Sequence, residues 1–384
     1  MKKQTLLISL LILILFSCQK ERSFERNGSS QVGGSSQVDV YVAGADSVFA
    51  WAGLFNSTYG IPTYWKNGIP VNYTDGTISY RGTAGDATSI AVSGNDVYMT
   101  GYGQFCGSFR CGEHGLFWKN GISESLDLPT YPTSLTVSNN DIYIAGSAGY
   151  LTGTGGNAAY LKNEVKIELP SGSAGSISTA IAVSGNDVYV AGLGITGNIF
   201  NGNQNYIAKY WKNGNAINLT DGTNGAQVWS IAVSGNDAYV AGMEWNGKSY
   251  QDASGNTYKK SVAKYWKNSI AVILTDGTEH AITKSIAVSG TDVYVAGTEW
   301  NGKSYQDASG YTHKKSIAKY WKNGKAVNLT DGTEDAEAKS IAVSGNDVYV
   351  AGTVNGYATY WKNGVAVKLS NVESDANSIF LVKK

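Results

Sequence analysis

The chain has 384 residues with 30 basic and 30 acidic side chains, a balance that leaves no footprint for a polyanion, so a nucleic-acid partner is not expected. Its length exceeds the size at which a single core usually stops growing, unless the architecture is a repeat or a barrel. Repeats are therefore the first thing to seek.

In chain order, the first element is a basic start (Lys2, Lys3), an apolar run from Leu6 to Phe16, and then Ser17-Cys18. A run of eleven residues is too short to cross a bilayer, which takes about 20, so residues 1–17 are expected to be a signal peptide. Leu15-Phe16-Ser17-Cys18 resembles the lipobox of bacterial lipoproteins. The resemblance implies cleavage before Cys18, acylation of that cysteine and a membrane attachment through it. Gln19-Lys20-Glu21 is similar to the short charged signals that send some lipoproteins to the outer face of the outer membrane, which is the expected location. Residues 18–37 carry Ser, Gly, Gln and charge with no apolar period, the composition of a tether.

From residue 38 onward, three phrases recur in fixed order. Asp-Val-Tyr-Val-Ala-Gly and its variants end at Gly44, Gly101, Gly146, Gly192, Gly242, Gly297 and Gly352. Tyr-Trp-Lys-Asn-Gly begins at Tyr64, Phe117, Tyr160, Tyr210, Tyr265, Tyr320 and Tyr360, and Ser-Ile-Ala-Val at Ser89, Ser134, Ala180, Ser230, Ser285, Ser340 and Ser378. Each unit reads as four short strands rich in β-branched and aromatic residues, bounded by Gly, Asn and Asp. Gly-Asn pairs such as Gly185-Asn186 suit type II′ hairpins and Asn-Gly pairs such as Asn213-Gly214 suit type I′. Asn163-Glu164 and Asn268-Ser269 depart from the second pattern.

The two ends of the repeat region complement each other. Residues 38–44 supply a second strand with no first, and 378–384 a first strand with no second. The expected fold is therefore an all-β, seven-bladed β-propeller over 38–384, with four-stranded blades and the C-terminal strand completing the N-terminal blade, a closure that removes open edges. The strand phrases resemble those of NHL-type propellers, which implies that the first strand of each blade is innermost.

This order puts all two-residue hairpins on one face. The connections from second to third strand lie on the other and vary from 22 residues in two blades to 7 in the last, so function is sought there. The two longest are near copies, Glu244 to Asp252 and Glu299 to Asp307. Their Trp245, Asn246, Tyr250 and Asp252, with Trp300, Asn301, Tyr305 and Asp307, have the composition of a sugar-binding surface, aromatic faces for pyranose rings and amides or carboxylates for hydroxyls. The competing reading is an extended hairpin whose aromatics pack on neighbouring blades. The Trp of each third strand and the repeated Asp-Gly-Thr are expected to serve packing and Asx-turns. Cys106 and Cys111 are expected to form a local disulfide.

Three histidines, no HExxH, GxSxG, P-loop or dinucleotide motif, and no metal or cofactor signature argue against recognisable catalysis. Residues 230–284 and 285–339 match at 43 of 55 positions, so any unique site is expected in the divergent first three blades, near Trp51, Tyr59, Arg81, Arg110, Glu113 and His114. The sequence thus points to a non-catalytic envelope propeller binding glycan or protein through its long-loop face. The alternatives are a carbohydrate-active enzyme with a central pocket and a scaffold subunit of an outer-membrane complex.

Overall fold

A computed structural model describes residues 38–52, 55–72, 85–106, 111–124, 131–147, 156–171, 175–197, 205–251, 257–306 and 312–384. The expected signal peptide and tether, Cys18 included, lie outside them. Among the described residues are twenty-eight strands, β1 to β28 in chain order, grouped into seven antiparallel sheets of four. The inner strands are β4 (Gly85–Ser93), β8 (Tyr131–Ser138), β12 (Ser176–Ser184), β16 (Ala226–Ser234), β20 (Ala281–Ser289), β24 (Ala336–Ser344) and β28 (Ser374–Lys383). Each contacts the next in a closed ring, and the protein is a seven-bladed β-propeller. Blade 1 is closed as expected, with β28 pairing with β1 (Val38–Ala52), which in turn pairs with β2 (Phe55–Lys66) and β3 (Ile69–Asn72). Blades 2 to 7 follow, led by β4, β8, β12, β16, β20 and β24.

Each inner strand begins about four residues earlier than the Ser-Ile-Ala-Val phrase indicates; the closing strand starts at Ser374, not 378. The cause is a bulge. One residue just before the phrase (Thr88, Thr133, Thr179, Trp229, Lys284, Lys339 or Asn377) has no partner on the second strand, and pairing resumes beyond it. The bulge also explains the glycine that ends Val-Ala-Gly. A Cβ on Gly101 would lie 2.1 Å from the Asp86 carbonyl oxygen, and one on Gly352 would lie 1.8 Å from that of Glu337. Only glycine lets the bulged strand come that close.

The other two phrases meet at the short-hairpin face. In every blade the Asp that opens the second strand takes an Asn and a Lys from Trp-Lys-Asn-Gly. In blade 4, Asn213 Nδ2 donates to Asp187 at 2.7 Å, Lys212 Nζ lies 2.9 Å from the same carboxylate, and that ammonium sits over the Tyr189 ring. Asn213 Oδ1 accepts the Val188 N–H, and its own N–H donates to the Val188 carbonyl. The amide and ammonium hold the Asp187 carboxyl below its ordinary range, and the same contacts recur at Asp39, Asp96, Asp141, Asp237, Asp292 and Asp347. The Asn that starts each of these turns is left-handed, with φ of 49 to 54°. Where glycine is missing, at Asn163-Glu164 and Asn268-Ser269, Asn alone carries the positive φ and the hairpin still forms.

Tryptophans of the third strands fill the joints between blades. Trp65, Trp211, Trp266, Trp321 and Trp361 are at most 1% exposed, each packed against the preceding blade, and Leu161 takes this place in blade 3. Each such side chain removes some 150–250 Å² of surface from water, which makes the joints the core of the molecule.

Inner strands are further joined by the serine of Ser-Ile-Ala-Val. Its hydroxyl accepts the N–H two positions into the next blade's phrase or its equivalent, as in Leu135 to Ser89 and Ile286 to Ser230, at 3.1 to 3.4 Å across six joints. Blade 4 has Ala180 at this position, facing blade 5. Ala180→Ser is expected to complete the ring and add about 1 kcal/mol, read as a higher urea midpoint. Ser285→Ala should lose a similar amount, and an unchanged midpoint in both variants would remove the serine ring from the stability of the fold.

Candidate functional site

The long connections are extensions of the blades. The second and third strands of blades 5 and 6 run out to Gln251 and Gln306 as hairpins, each with a bulge after Trp245 or Trp300. Trp245 is half-buried, with its ring against the Gly225 backbone and the Lys259 ammonium 5.4 Å from its centroid. Trp300 packs at 4.5 Å on the His280 ring. The backbone N–H of each of these tryptophans donates to a carbonyl of the segment leading into its own blade, at Gly225 and His280.

Asn246 and Asn301 are committed to the backbone. Asn246 Nδ2 donates to the Gly277 carbonyl at 3.0 Å and its Oδ1 accepts the Lys248 N–H at 2.9 Å, while Asn301 repeats the arrangement with Gly332 and Lys303. These bonds tie each hairpin to the Asp-Gly-Thr turn before the next blade. In that turn Asp276 accepts both the N–H and the hydroxyl of Thr278, as expected of an Asx-turn. Tyr250 and Tyr305 lie in the strands, but their side chains are outside the described set, as are Asp252 and Asp307 altogether. Register places Cys106 directly opposite Cys111 at the tip of blade 2, where a local disulfide is expected; the four residues between them and both side chains are outside the described set.

The hairpins of blades 5 and 6 also hold ion pairs that blade 4 lacks. Lys264 pairs with Glu244 and Lys319 with Glu299, whereas the equivalent Lys209 faces Gly194. Lys209 is 8% exposed, and burial lowers the pKa of its ammonium. Gly194→Glu restores the missing acid, since a Cβ there meets only the flexible end of Lys209. The expected gain is about 1 kcal/mol at neutral pH, seen as a higher thermal midpoint and abolished by Lys209→Met in the same background. A gain that survives Lys209→Met would mean that the pair is not its source.

The side chains that differ most between blades stand on the inner strands, at the bulge and two residues before it. The first position is threonine in blades 2, 3 and 4 (Thr88, Thr133, Thr179), then Trp229, Lys284, Lys339 and Asn377. The second is Asp86, Tyr131, Ile177, Gln227, Ile282, Glu337 and Asp375. All of these are at least partly exposed although they lie on the innermost strands, because they line the central channel. Near the long-hairpin end, Asp86, Tyr102, Glu337, Lys339, Glu373 and Asp375 border a cavity of about 470 Å³ between blades 7, 1 and 2.

A hydrogen-bonded chain runs along this wall. Lys339 Nζ donates to Asp375 and, at 3.2 Å, to Asn377 Oδ1; Asn377 Nδ2 donates to Asp86 at 2.8 Å and to the Ala87 carbonyl at 3.1 Å. Burial, reinforced by the Asp375 charge, pushes the Asp86 carboxyl up to about 6 against the pull of Asn377 and Lys339. One blade away, Lys284 lies 4.7 Å from the Trp229 ring centroid, and burial lowers the pKa of its ammonium, opposed by the charge of Glu337. The recess itself offers the carboxylates of Asp86, Glu337, Glu373 and Asp375, the Lys339 ammonium and the Tyr102 side chain. Among the described residues, no group of three or more His, Cys, Asp or Glu side chains is placed to hold a metal.

Sequence reasoning did not single out these wall residues. Their signal was present, however, as variation at two positions next to an otherwise repeated phrase. Of the residues around which a unique site was expected in blades 1 to 3, His114 is exposed, and Arg81, Arg110 and the side chains of Trp51, Tyr59 and Glu113 lie outside the described set.

Residues 84–102, 225–247 and 335–358 match the family model of the LVIVD repeat. Those three stretches are similar to LVIVD repeats. Each match covers an inner strand and most or all of its partner, the part of the blade that holds the bulge. No curated protein matches the chain. Among solved structures, it is similar to "Structure of YjhT" at 13% identity over 77% of this chain and 96% of that one, TM-score 0.35. It is also similar to the Drosophila Semaphorin 1b extracellular domains 1-2 at 8% identity over 87% of each, TM-score 0.41.

Proposed function

We propose that this propeller is a non-catalytic binding protein of the cell envelope, held at the outer membrane through Cys18, that takes the end of a glycan chain at the channel mouth on its long-hairpin face. The observation that carries the reading is the cavity of about 470 Å³ walled by unlike polar residues from blades 7, 1 and 2. That volume suits a small ligand or a chain end better than a protein surface. Sugar hydroxyls match the carboxylates and amide of the Lys339–Asp375–Asn377–Asp86 chain, and Tyr102 adds an aromatic side chain to the lining. The Trp245 and Trp300 hairpins would then flank the approach to the site.

A glycan array followed by calorimetry tests this. Saturable binding lost in Lys339→Ala and Asp375→Asn supports the reading; no saturable binding, or binding equally strong in both variants, refutes it. One observation favours a second reading, a carbohydrate-active enzyme. Asp86, its carboxyl pushed up to about 6, can hold a proton for a leaving group, and Asp375 stands beside it as a second carboxylate. Release of reducing ends near pH 6 by the native protein, lost in Asp86→Asn, would favour that reading over simple binding.

A further inference from the structure

The short-hairpin face carries an apolar rim that the blades do not need for packing. The first residue of the outer strand, directly after the Trp-Lys-Asn-Gly turn or its variant, is Ile69, Ile122, Val165, Ile270 and Val365 in five blades, exposed by 59%, 68%, 65%, 74% and 69%. The other two blades have Asn215 and Lys325, both exposed, so the rim includes no acid. Single exposed aliphatic residues are common on protein surfaces. Here they recur at one structural position, facing solvent at the periphery of one face.

Two further features belong to the same face. The lysines beside the rim, such as Lys66, Lys212 and Lys322, are each neutralised by the Asp of their own blade. The face therefore presents apolar tips among balanced charges, with Lys325 and Lys383 in addition and Glu164 in the blade 3 turn against them. Both ends of the propeller emerge there: Val38 opens β1 opposite Lys383, and Lys384 pairs with Asp39. The first described residue, Val38, thus lies on the rim side and not among the long hairpins.

We propose that this rim docks on the lipid surface, so that the propeller rests with its short-hairpin face on the membrane and its channel mouth turned away from it. The proposal relies on the reading of Cys18 as a membrane anchor. A tether of twenty residues keeps the rim within a short distance of the headgroups, and at such effective concentration a contact too weak to bind from solution is populated. Isoleucine and valine enter the interfacial region, the neutral clamps impose no net repulsion, and Lys325 and Lys383 favour anionic headgroups.

The test is neutron reflectometry of the full mature chain on a supported bilayer of phosphatidylethanolamine and phosphatidylglycerol, in two arms. One arm uses the chain as isolated, with acylation of Cys18 checked by mass; the other couples the Cys18 thiol to a maleimide lipid. Protein density should abut the headgroups in the second arm, with the rim submerged and the long hairpins farthest away. A water layer should open in the triple variant Ile69→Glu, Ile122→Glu, Ile270→Glu, whose substitutions are all at exposed positions. A water layer already present in the unsubstituted chain, hairpins against the lipid, or identical profiles for the two proteins would overturn the docking. A missing acyl group in the first arm would overturn the anchor alone, because the second arm still reads the rim. Concentration-dependent dimers in sedimentation that the triple variant abolishes would assign the rim to a second copy of the chain and overturn the membrane assignment.

Discussion

Asp86→Asn is expected to make the protein more stable at neutral pH and to leave it unchanged in acid. The carboxyl of Asp86 titrates near 6 in the folded protein and near 3.8 in the unfolded chain. Between those values the folded state holds the extra proton, so stability falls as pH rises through the window and stays lower above it. A shift of about two units at 1.36 kcal/mol each places the cost near 3 kcal/mol at pH 7.5. Asparagine removes the ionisation while its carbonyl still accepts from Asn377, so the gain should approach that figure in urea unfolding at pH 7.5 and vanish below pH 3.8. The Asp–Lys–Asn clamps of the short-hairpin face also weaken in acid, but they do so in both proteins and cancel from the difference. Equal stability at pH 7.5 would show that Asp86 is not ionised at a cost in the native wall. A residue retained against such a cost, in a recess and beside a second carboxylate, has the profile of a functional group more than a structural one.

How far the sequence disclosed this arrangement follows from what each residue does. Trp65, Trp211 and their equivalents recur because every joint between blades needs the same filling, and Asp187, Lys212 and Asn213 recur because every pair of hairpins is clamped alike. Repetition of that kind is visible without coordinates, and it yielded the blade count and the closure by the C-terminal strand. Lys339, Asn377 and Asp86 are the opposite case. They come from three blades and become neighbours only when the chain closes on itself, at positions that the repeat does not fix. The phrase Ser-Ile-Ala-Val begins just after the bulge, so the residues before it read as connection and not as channel wall. Asn246 and Asn301 illustrate the converse difficulty. Their sequence context is that of a polar binding loop, yet both amide ends are already satisfied by backbone groups of the hairpin and the adjoining turn.

The bulge ties the scaffold to the site, and Gly352→Ala is the substitution that separates them. A methyl group on Gly352 would sit 1.8 Å from the Glu337 carbonyl oxygen, a backbone atom with no rotamer to escape into. The collision can be relieved only by moving β24 away from its partner strand, which also breaks the pairing on either side of Lys339. A loss of about 3 kcal/mol or more is expected, at the upper end of overpacking costs because neither partner is a side chain. Gly364→Ala provides the comparison: its φ of 83° strains any residue with a Cβ, but nothing lies within 4 Å. That strain should cost about 1–2 kcal/mol. The two variants should differ in a second respect as well. Gly364 lies in a turn of the short-hairpin face, so its substitution should leave ligand affinity at the channel mouth intact, whereas Gly352→Ala displaces the strand that carries Glu337 and Lys339. Equal unfolding free energies for the two would contradict the collision at Gly352, and native affinity in Gly352→Ala would detach the bulge from the site. The glycine that recurs in every blade is thus a requirement of the bulge, and the bulge is what sets one variable side chain of each blade at the wall of the channel.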